Sequence, residues 1–204
     1  MFFIFSNRCC CTDDRAGAAS ERRINCKRII RYERSYDTIF PLVPSGDLWN
    51  EFADRVILLK DLGFTAAWLP PATKGDLGTE GRGYDLYDLY DLGEFDQKGG
   101  VPTRYGTREE YLNAIEKAHE AGISVYADIV LNHRMGGDEN EWITVHEVDE
   151  NNRNNIISEP FDVSANTRFT FPARKGKYSD FIWDYRCFSG IDTAWKNRKN
   201  NRDF

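Results

Sequence analysis

From Asp47 onward, apolar residues fall at helical spacing: Leu48, Phe52, Val56, Leu59 and Leu62 recur every three or four positions. Asp47 is placed to cap that helix, and Gly63 to end it in a left-handed cap. Directly after comes "FTAAWL", Phe64 to Leu69, closed by Pro70 and Pro71, which predicts a short buried strand. The same order returns later. Thr107 and Glu110 form a capping box, Leu112, Ile115, Ala118 and Ala121 make a helical stripe, and Gly122 ends it before "ISVYADIVL", a second buried strand. Two helix, glycine, strand units in series predict parallel strands with crossover helices, hence an α/β fold.

The connections differ sharply in length. Helix-to-strand links take a residue or two, whereas the strand-to-helix link runs from Pro70 to Gly106, far beyond the usual 2 to 6 residues. In parallel α/β folds such links emerge at the carboxyl edge of the sheet, where substrates bind. Trp68, the long loop and the pair Asn132-His133 are therefore expected on one face. After Leu131 no continuous apolar run follows, only scattered rings such as Trp142, Phe169, Phe171, Phe181 and Trp183. That pattern predicts an irregular, β-rich subdomain inserted after the second recognisable strand, with the rings as its small core. Before Pro44 there is no sustained period, only an Arg-rich patch at Arg22, Arg23, Arg28, Arg31 and Arg34. The resulting division is an unassigned leader (1–44), a partial α/β unit (45–131) and an inserted subdomain (132–204).

Composition adds exclusions. At 204 residues, 41 % apolar and 29 % charged, the chain fits one globular domain or part of one. A formal charge of -6 without a basic stripe argues against a nucleic-acid partner. No window approaches the run of about 18 apolar residues that a membrane span needs, and Phe2 to Phe5 is too short for a signal-peptide core. A cytoplasmic setting is the expectation. Cys9, Cys10, Cys11, Cys26 and Cys187 form no framework and no zinc-ligand spacing, so they read as reduced thiols.

Several acidic residues have plain structural readings. Asp128, inside the strand pattern, reads as a buried, hydrogen-bonded carboxylate rather than an acid or base. Asp85, Asp88, Asp91 and Glu94, spaced by three, read as a solvated face and turn scaffold. Asp138, Glu139 and Glu141 read as surface. The glycines of "KGDLGTEGRG" precede no helix at the proper place, which argues against a phosphate loop.

Three longer strings carry a resemblance. "WLPPATKG", "GYDLYDLYDLGEFDQKGGVPTRYGTREEYLNAI" and "ADIVLNH", in this order and spacing, resemble the liquefying or intracellular branch of the α-amylases, in the large α-amylase family of glycoside hydrolases. The resemblance implies the amino-terminal part of a (β/α)8 barrel with a β-rich subdomain inserted after the third strand. It implies retaining hydrolysis of α-1,4-glucans such as starch, glycogen and maltooligosaccharides. It makes Tyr84 an aromatic platform under a sugar ring, His133 a hydrogen-bonding partner of that sugar's hydroxyls and Asp128 a brace of the substrate site; Trp68, expected on the same face from the strand order, is a further candidate substrate contact. It makes Asn132 a ligand of a structural calcium. Sugars present apolar faces and hydroxyl edges, so a ring and an imidazole read both.

Retention needs two carboxylates, which in that family come from the fourth and fifth strands. Neither motif is present, so the expectation is a truncated or mispredicted gene product without nucleophile or general acid and without starch hydrolysis. A non-catalytic α-glucan-binding remnant and another enzyme of the same superfamily, a transglycosylase or isomerase, are the alternatives.

Overall fold

The structure, a computed structural model, describes residues 29–31, 47–196 and 200–203. Cys9, Cys10, Cys11, Cys26 and most of the Arg-rich patch lie outside the described residues. Helix α1 (Leu48–Asp61) and helix α2 (Arg108–Glu120) pack together against one face of a three-stranded parallel sheet. Its strands are β1 (Ile29–Arg31), β2 (Ala66–Leu69) and β5 (Ser124–Ala127), in the order β1-β2-β5. β1 falls within the leader to which the pattern gave no role. Three apolar-to-basic residues between arginines show no period long enough to read as a strand.

Both helices form where expected, with local differences. Asp47 sits at the N-cap, but its side chain caps nothing; Oδ1 instead accepts a hydrogen bond from Asn50 Nδ2 at 3.1 Å. Thr107 and Glu110 do form the reciprocal capping box, with Thr107 N donating to Glu110 Oε2 at 2.7 Å and Glu110 N donating to Thr107 Oγ1. Asn50 Nδ2 also donates to Glu110 Oε1 at 2.8 Å, tying one helix start to the other. The stripes are shifted from their apolar reading. Leu62 and Leu112 are exposed, while Trp49, Ala53, Tyr111 and Ala114 are buried. Trp49 lies between the rings of Tyr105 and Tyr111, centroids 5.3 and 4.8 Å away, and Ala114 and Ala118 supply the small surface on which the helices close.

β5 is shorter and more exposed than its sequence suggests. The ladder pairs Ala66 with Ser124 through Leu69 with Ala127 and then stops. Ile129 and Leu131 are 61 % and 76 % exposed, because among the described residues β5 has a neighbour on one edge only. An apolar run reads as buried whether or not anything covers it.

The long loop contains a hairpin, β3 (Lys74–Gly75) with β4 (Leu86–Asp88). Its acidic series is an internal scaffold and not a solvated face. Asp88 and Asp91 are fully buried. Asp91 Oδ1 accepts from the amides of Gly93 and Glu94, each at 2.8 Å, and both carboxylates accept from Gln97 Nε2 at 2.9 Å. Lys74, also buried, donates to the carbonyls of Gly100 and Val101 at 2.7 Å and lies 3.6 Å from Asp91 Oδ2. Burial pulls the Lys74 ammonium below its usual value, against the opposing pull of Asp91. Burial pushes the Asp88 carboxyl up, against Gln97 and Arg174. Arg174 Nε is 2.8 Å from Asp88 Oδ2, at an angle that makes an ion pair and not a hydrogen bond.

Beyond residue 132 the chain is β-rich. β6 (Glu139–Val145) is followed by a hairpin of β7 (Val148–Asp149) with β8 (Asn152–Ile156), then β9 (Phe161–Arg168), β10 (Thr193–Lys196) and β11 (Asn200–Asp203). The antiparallel sheet has the order β11-β10-β9-β6. Phe169, Phe171 and Trp183 join Tyr87 and Phe188 in an aromatic core under the long loop. Trp142 and Phe181, expected there, are exposed instead. Trp142 sits on the outward phase of β6, where alternation sends it away from Ile143 and Val145.

Candidate functional site

Past the end of β5, residues 133–135 run beside 84–87 of the long loop and are stitched to it by three hydrogen bonds. His133 Nε2 meets the Tyr84 carbonyl at 2.6 Å, Met135 N donates to the Leu86 carbonyl at 2.8 Å, and Arg134 Nη1 donates to the Tyr87 carbonyl at 2.7 Å. From the other side, Tyr84 Oη donates to Asp128 Oδ2 at 2.8 Å. One ring is thereby held at both ends. Its hydroxyl is tied to β5 and its backbone to the segment that follows. Gly83 makes the approach possible: its φ is +82°, and a side chain there would collide with the Pro71 carbonyl.

Tyr84 is 40 % exposed, and His133 is exposed beside it. The carbonyl partner fixes the proton of His133 on Nε2, so Nδ1 accepts, and Asn132 Nδ2 lies 3.4 Å from it. A sugar hydroxyl that bonds His133 exchanges with one of these two contacts. Asp128 is only half-buried and not the buried carboxylate its strand pattern suggested, since among the described residues β5 has no outer neighbour.

Trp68 is reached differently. It stands in register with Tyr126, and alternation puts both on the sheet face opposite Ala67 and Leu69, which pack toward the helices. Asp128, two residues beyond Tyr126, follows on that face. Tyr84, Asp128 and His133 are therefore joined directly, Asn132 through His133, while Trp68 shares the face from mid-strand. A surface depression lined by His119, Gly122, Ile123, Ser124 and Val125 lies at the opposite, amino-terminal end of β5 and takes no part.

Sequence reasoning missed the supports of this rim. Arg134 lays its guanidinium 3.9 Å from the Trp183 ring centroid, with Phe169 and Phe171 near it, and burial lowers its pKa. Asp138, at the surface as expected, is also a hub: Oδ1 accepts from Tyr87 Oη at 2.6 Å, and Oδ2 accepts from the amides of Thr170 and Phe171 at 2.6 and 3.0 Å. Burial works to raise this carboxyl, but the hydrogen bonds from Tyr87, Thr170 and Phe171 outweigh it and hold it below the usual range. Burial, followed by Asp138, raises the Tyr87 phenol. Glu141 likewise is not free surface, since it accepts from Thr167 Oγ1 at 2.7 Å and Tyr185 N at 2.9 Å. Irregular backbone carries no period, so no spacing in the sequence marks these partners.

A calcium ion takes six to eight oxygens, several of them carboxylates. Among the described residues no three His, Cys, Asp or Glu side chains gather, and the Asn132 amide is turned to His133. The described side chains do not by themselves make such a cage. No helix among them is long and apolar enough to cross a membrane.

Comparison with known proteins places this geometry. The family described as "Alpha amylase, catalytic domain" matches residues 13–188. The cytoplasmic alpha-amylase of Escherichia coli is 51 % identical over 147 residues, which are 72 % of this chain and 30 % of that protein. The alpha-amylase of Geobacillus stearothermophilus is 48 % identical over 162 residues, 79 % of this chain and 29 % of that one. A truncated alternansucrase from Leuconostoc mesenteroides superposes with a TM-score of 0.56 at 29 % identity, over 68 % of this chain and 13 % of that chain. The chain thus spans about 30 % of the length of the curated relatives it matches. With the family pattern covering most of its residues, it belongs to the α-amylase family of glycoside hydrolases, whose catalytic domain is of the TIM-barrel type.

Proposed function

We propose that this chain contributes the substrate-holding rim of an α-amylase-type glycoside hydrolase that acts on α-1,4-glucans with retention. The parallel strands and two helices, with residues 45–131 at their centre, are the first part of a (β/α)8 barrel. Residues 132–204 are the subdomain inserted after its third strand. A cytoplasmic setting follows the likeness to the cytoplasmic amylase of Escherichia coli.

The observation that carries the reading is the fixed ring of Tyr84, bonded through its hydroxyl to Asp128 and through its carbonyl to His133. An aromatic face held rigidly beside polar edges matches a pyranose, which stacks by its apolar face and bonds through its hydroxyls. Asp128 spends one oxygen on Tyr84 and acts as the brace. Retaining hydrolysis takes two carboxylates about 5 to 5.5 Å apart, one attacking the anomeric carbon and one protonating the leaving oxygen. We assign neither role to a residue of this chain; its own groups bind and orient. A calcium held at Asn132 would draw its other oxygens from backbone carbonyls or from groups beyond those described.

The test separates holding from cutting. Residues 1–204 should bind maltoheptaose, bind less of it on Tyr84→Ala and on His133→Ala, and release no reducing sugar from starch. Sugar release that vanishes on His133→Ala would overturn the division of labour, and binding indifferent to both substitutions would overturn the rim.

A further inference from the structure

The outward face of the antiparallel sheet carries an exposed indole in polar company. On β6, Asn140, Trp142 and Thr144 take the outward phase; on β9, Asp162, Ser164 and Asn166 do. Trp142 is 69 % exposed and stands directly opposite Ser164, with Thr144 opposite Asp162. Thr144 Oγ1 donates to Asp162 Oδ1 at 2.7 Å, which fixes the carboxylate and leaves Oδ2 for another donor. On the other flank Asn166 Nδ2 donates to Asn140 Oδ1 at 3.1 Å and to the Gly137 carbonyl at 2.8 Å, which fixes both amides. Across β9, Trp195 occupies the register position opposite Ser164, so tryptophan positions flank a serine in one row of the sheet. Strands repeat at about 4.8 Å, which puts those two positions about 10 Å apart.

The surroundings select the ligand. A protein partner that docks by apolar burial needs a contiguous patch, and the neighbours of Trp142 are hydroxyls, amides and a carboxylate. An anionic ligand meets Asp162 and a chain of net charge -6. A neutral polyol with an apolar ring face meets neither obstacle.

We propose that this face is a second saccharide site, separate from the Tyr84 rim, on which a hexose of an α-glucan stacks on Trp142 and bonds through its hydroxyls to Asp162 and Asn140. Its occupant being an α-glucan rests on the function proposed above. Such a site holds a long glucan to the subdomain while another part of the chain lies at the rim.

Calorimetric titration with maltoheptaose and gel retardation in glycogen test it, using the whole chain and variants whose circular dichroism matches the parent. The parent should bind two ligands. Trp142→Ala should remove one and weaken retardation about tenfold, Tyr84→Ala should remove the other, and Trp142→Phe should restore part of the loss. If Trp142→Ala leaves stoichiometry and retardation as in the parent, the second site is wrong while the rim stands. If Tyr84→Ala leaves them unchanged and Trp142→Ala abolishes them, the rim is wrong and this site stands. A parent that binds neither probe overturns both.

Discussion

Tyr84 and Asp128 are 44 residues apart in sequence, yet the phenol of one donates to the carboxylate of the other at 2.8 Å. This single bond joins the long loop to the end of β5. It fixes the phenol at its hydroxyl edge, while the residue stays 40 % exposed.

The ring and the hydroxyl make separable contributions. Tyr84→Phe keeps the stacking surface and loses one hydrogen bond, a net cost of about 0.5 to 1.5 kcal/mol. Maltoheptaose binding should therefore weaken about two- to tenfold in the Phe variant, and further in Tyr84→Ala. A Phe variant that binds as tightly as the parent shows that the bond to Asp128 does not orient the platform.

Arg134 should matter through its shape. Its planar group donates to the Tyr87 carbonyl and stacks on Trp183 at once, a geometry that a lysine ammonium does not reproduce. Arg134→Ala removes a charged hydrogen bond and a cation–π contact, together about 2 to 4 kcal/mol. Arg134→Lys should recover less than half of that in urea denaturation. Full recovery by Lys means that charge alone is at work.

How much of this was legible depends on how local each signal is. The helices, their glycine stops at Gly63 and Gly122 and the capping box at Thr107 are written within a few residues, so period and cap chemistry reveal them. Side-chain phase was legible only in part. Apolar strength favoured Leu62 and Leu112, whereas close helix packing selected Ala53, Ala114 and the edges of Trp49 and Tyr111. β1 was not legible, because three residues show no alternation and its place is set by pairing with β2. At the site, Tyr84, Asp128 and His133 were reached through the family resemblance, and the structure adds their direct bonds. Arg134 and Asp138 could not be found that way. Their partners lie in loops whose course only the folded chain determines.

Asp138 gives a pH signature. Its carboxyl lies below the usual value in the folded chain, so the folded state holds the ionised form better than the unfolded state does. The stabilisation is complete above the ordinary carboxylate value near 4 and is lost as pH falls through the depressed folded value. Asp138→Asn should destabilise the chain at pH 7 and flatten its decline at acid pH, as read by urea midpoints across the range. Asp88 acts in the opposite sense. Its folded value is raised, so its contribution favours the fold at low pH and diminishes as pH rises above the ordinary value. Asp88→Asn should therefore leave the acid limb standing. A limb that persists in Asp138→Asn and vanishes in Asp88→Asn reverses these roles.

Lys74 offers the most direct test of the loop scaffold, because its ammonium is surrounded by carbonyls and faces Asp91 with no exposure to solvent. Removing one partner of a buried pair costs about 3 to 5 kcal/mol, since the other charge is left without compensation. Lys74→Met should show a loss of that size. Asp91→Asn keeps an oxygen for the amides of Gly93 and Glu94 while removing the charge, so it isolates the electrostatic part. If Asp91 is what makes the bare site costly, the double variant should be more stable than the sum of the single losses predicts, by about 1 kcal/mol or more. If the losses simply add, the carbonyls of Gly100 and Val101 hold the lysine by themselves, and the carboxylate serves only the turn.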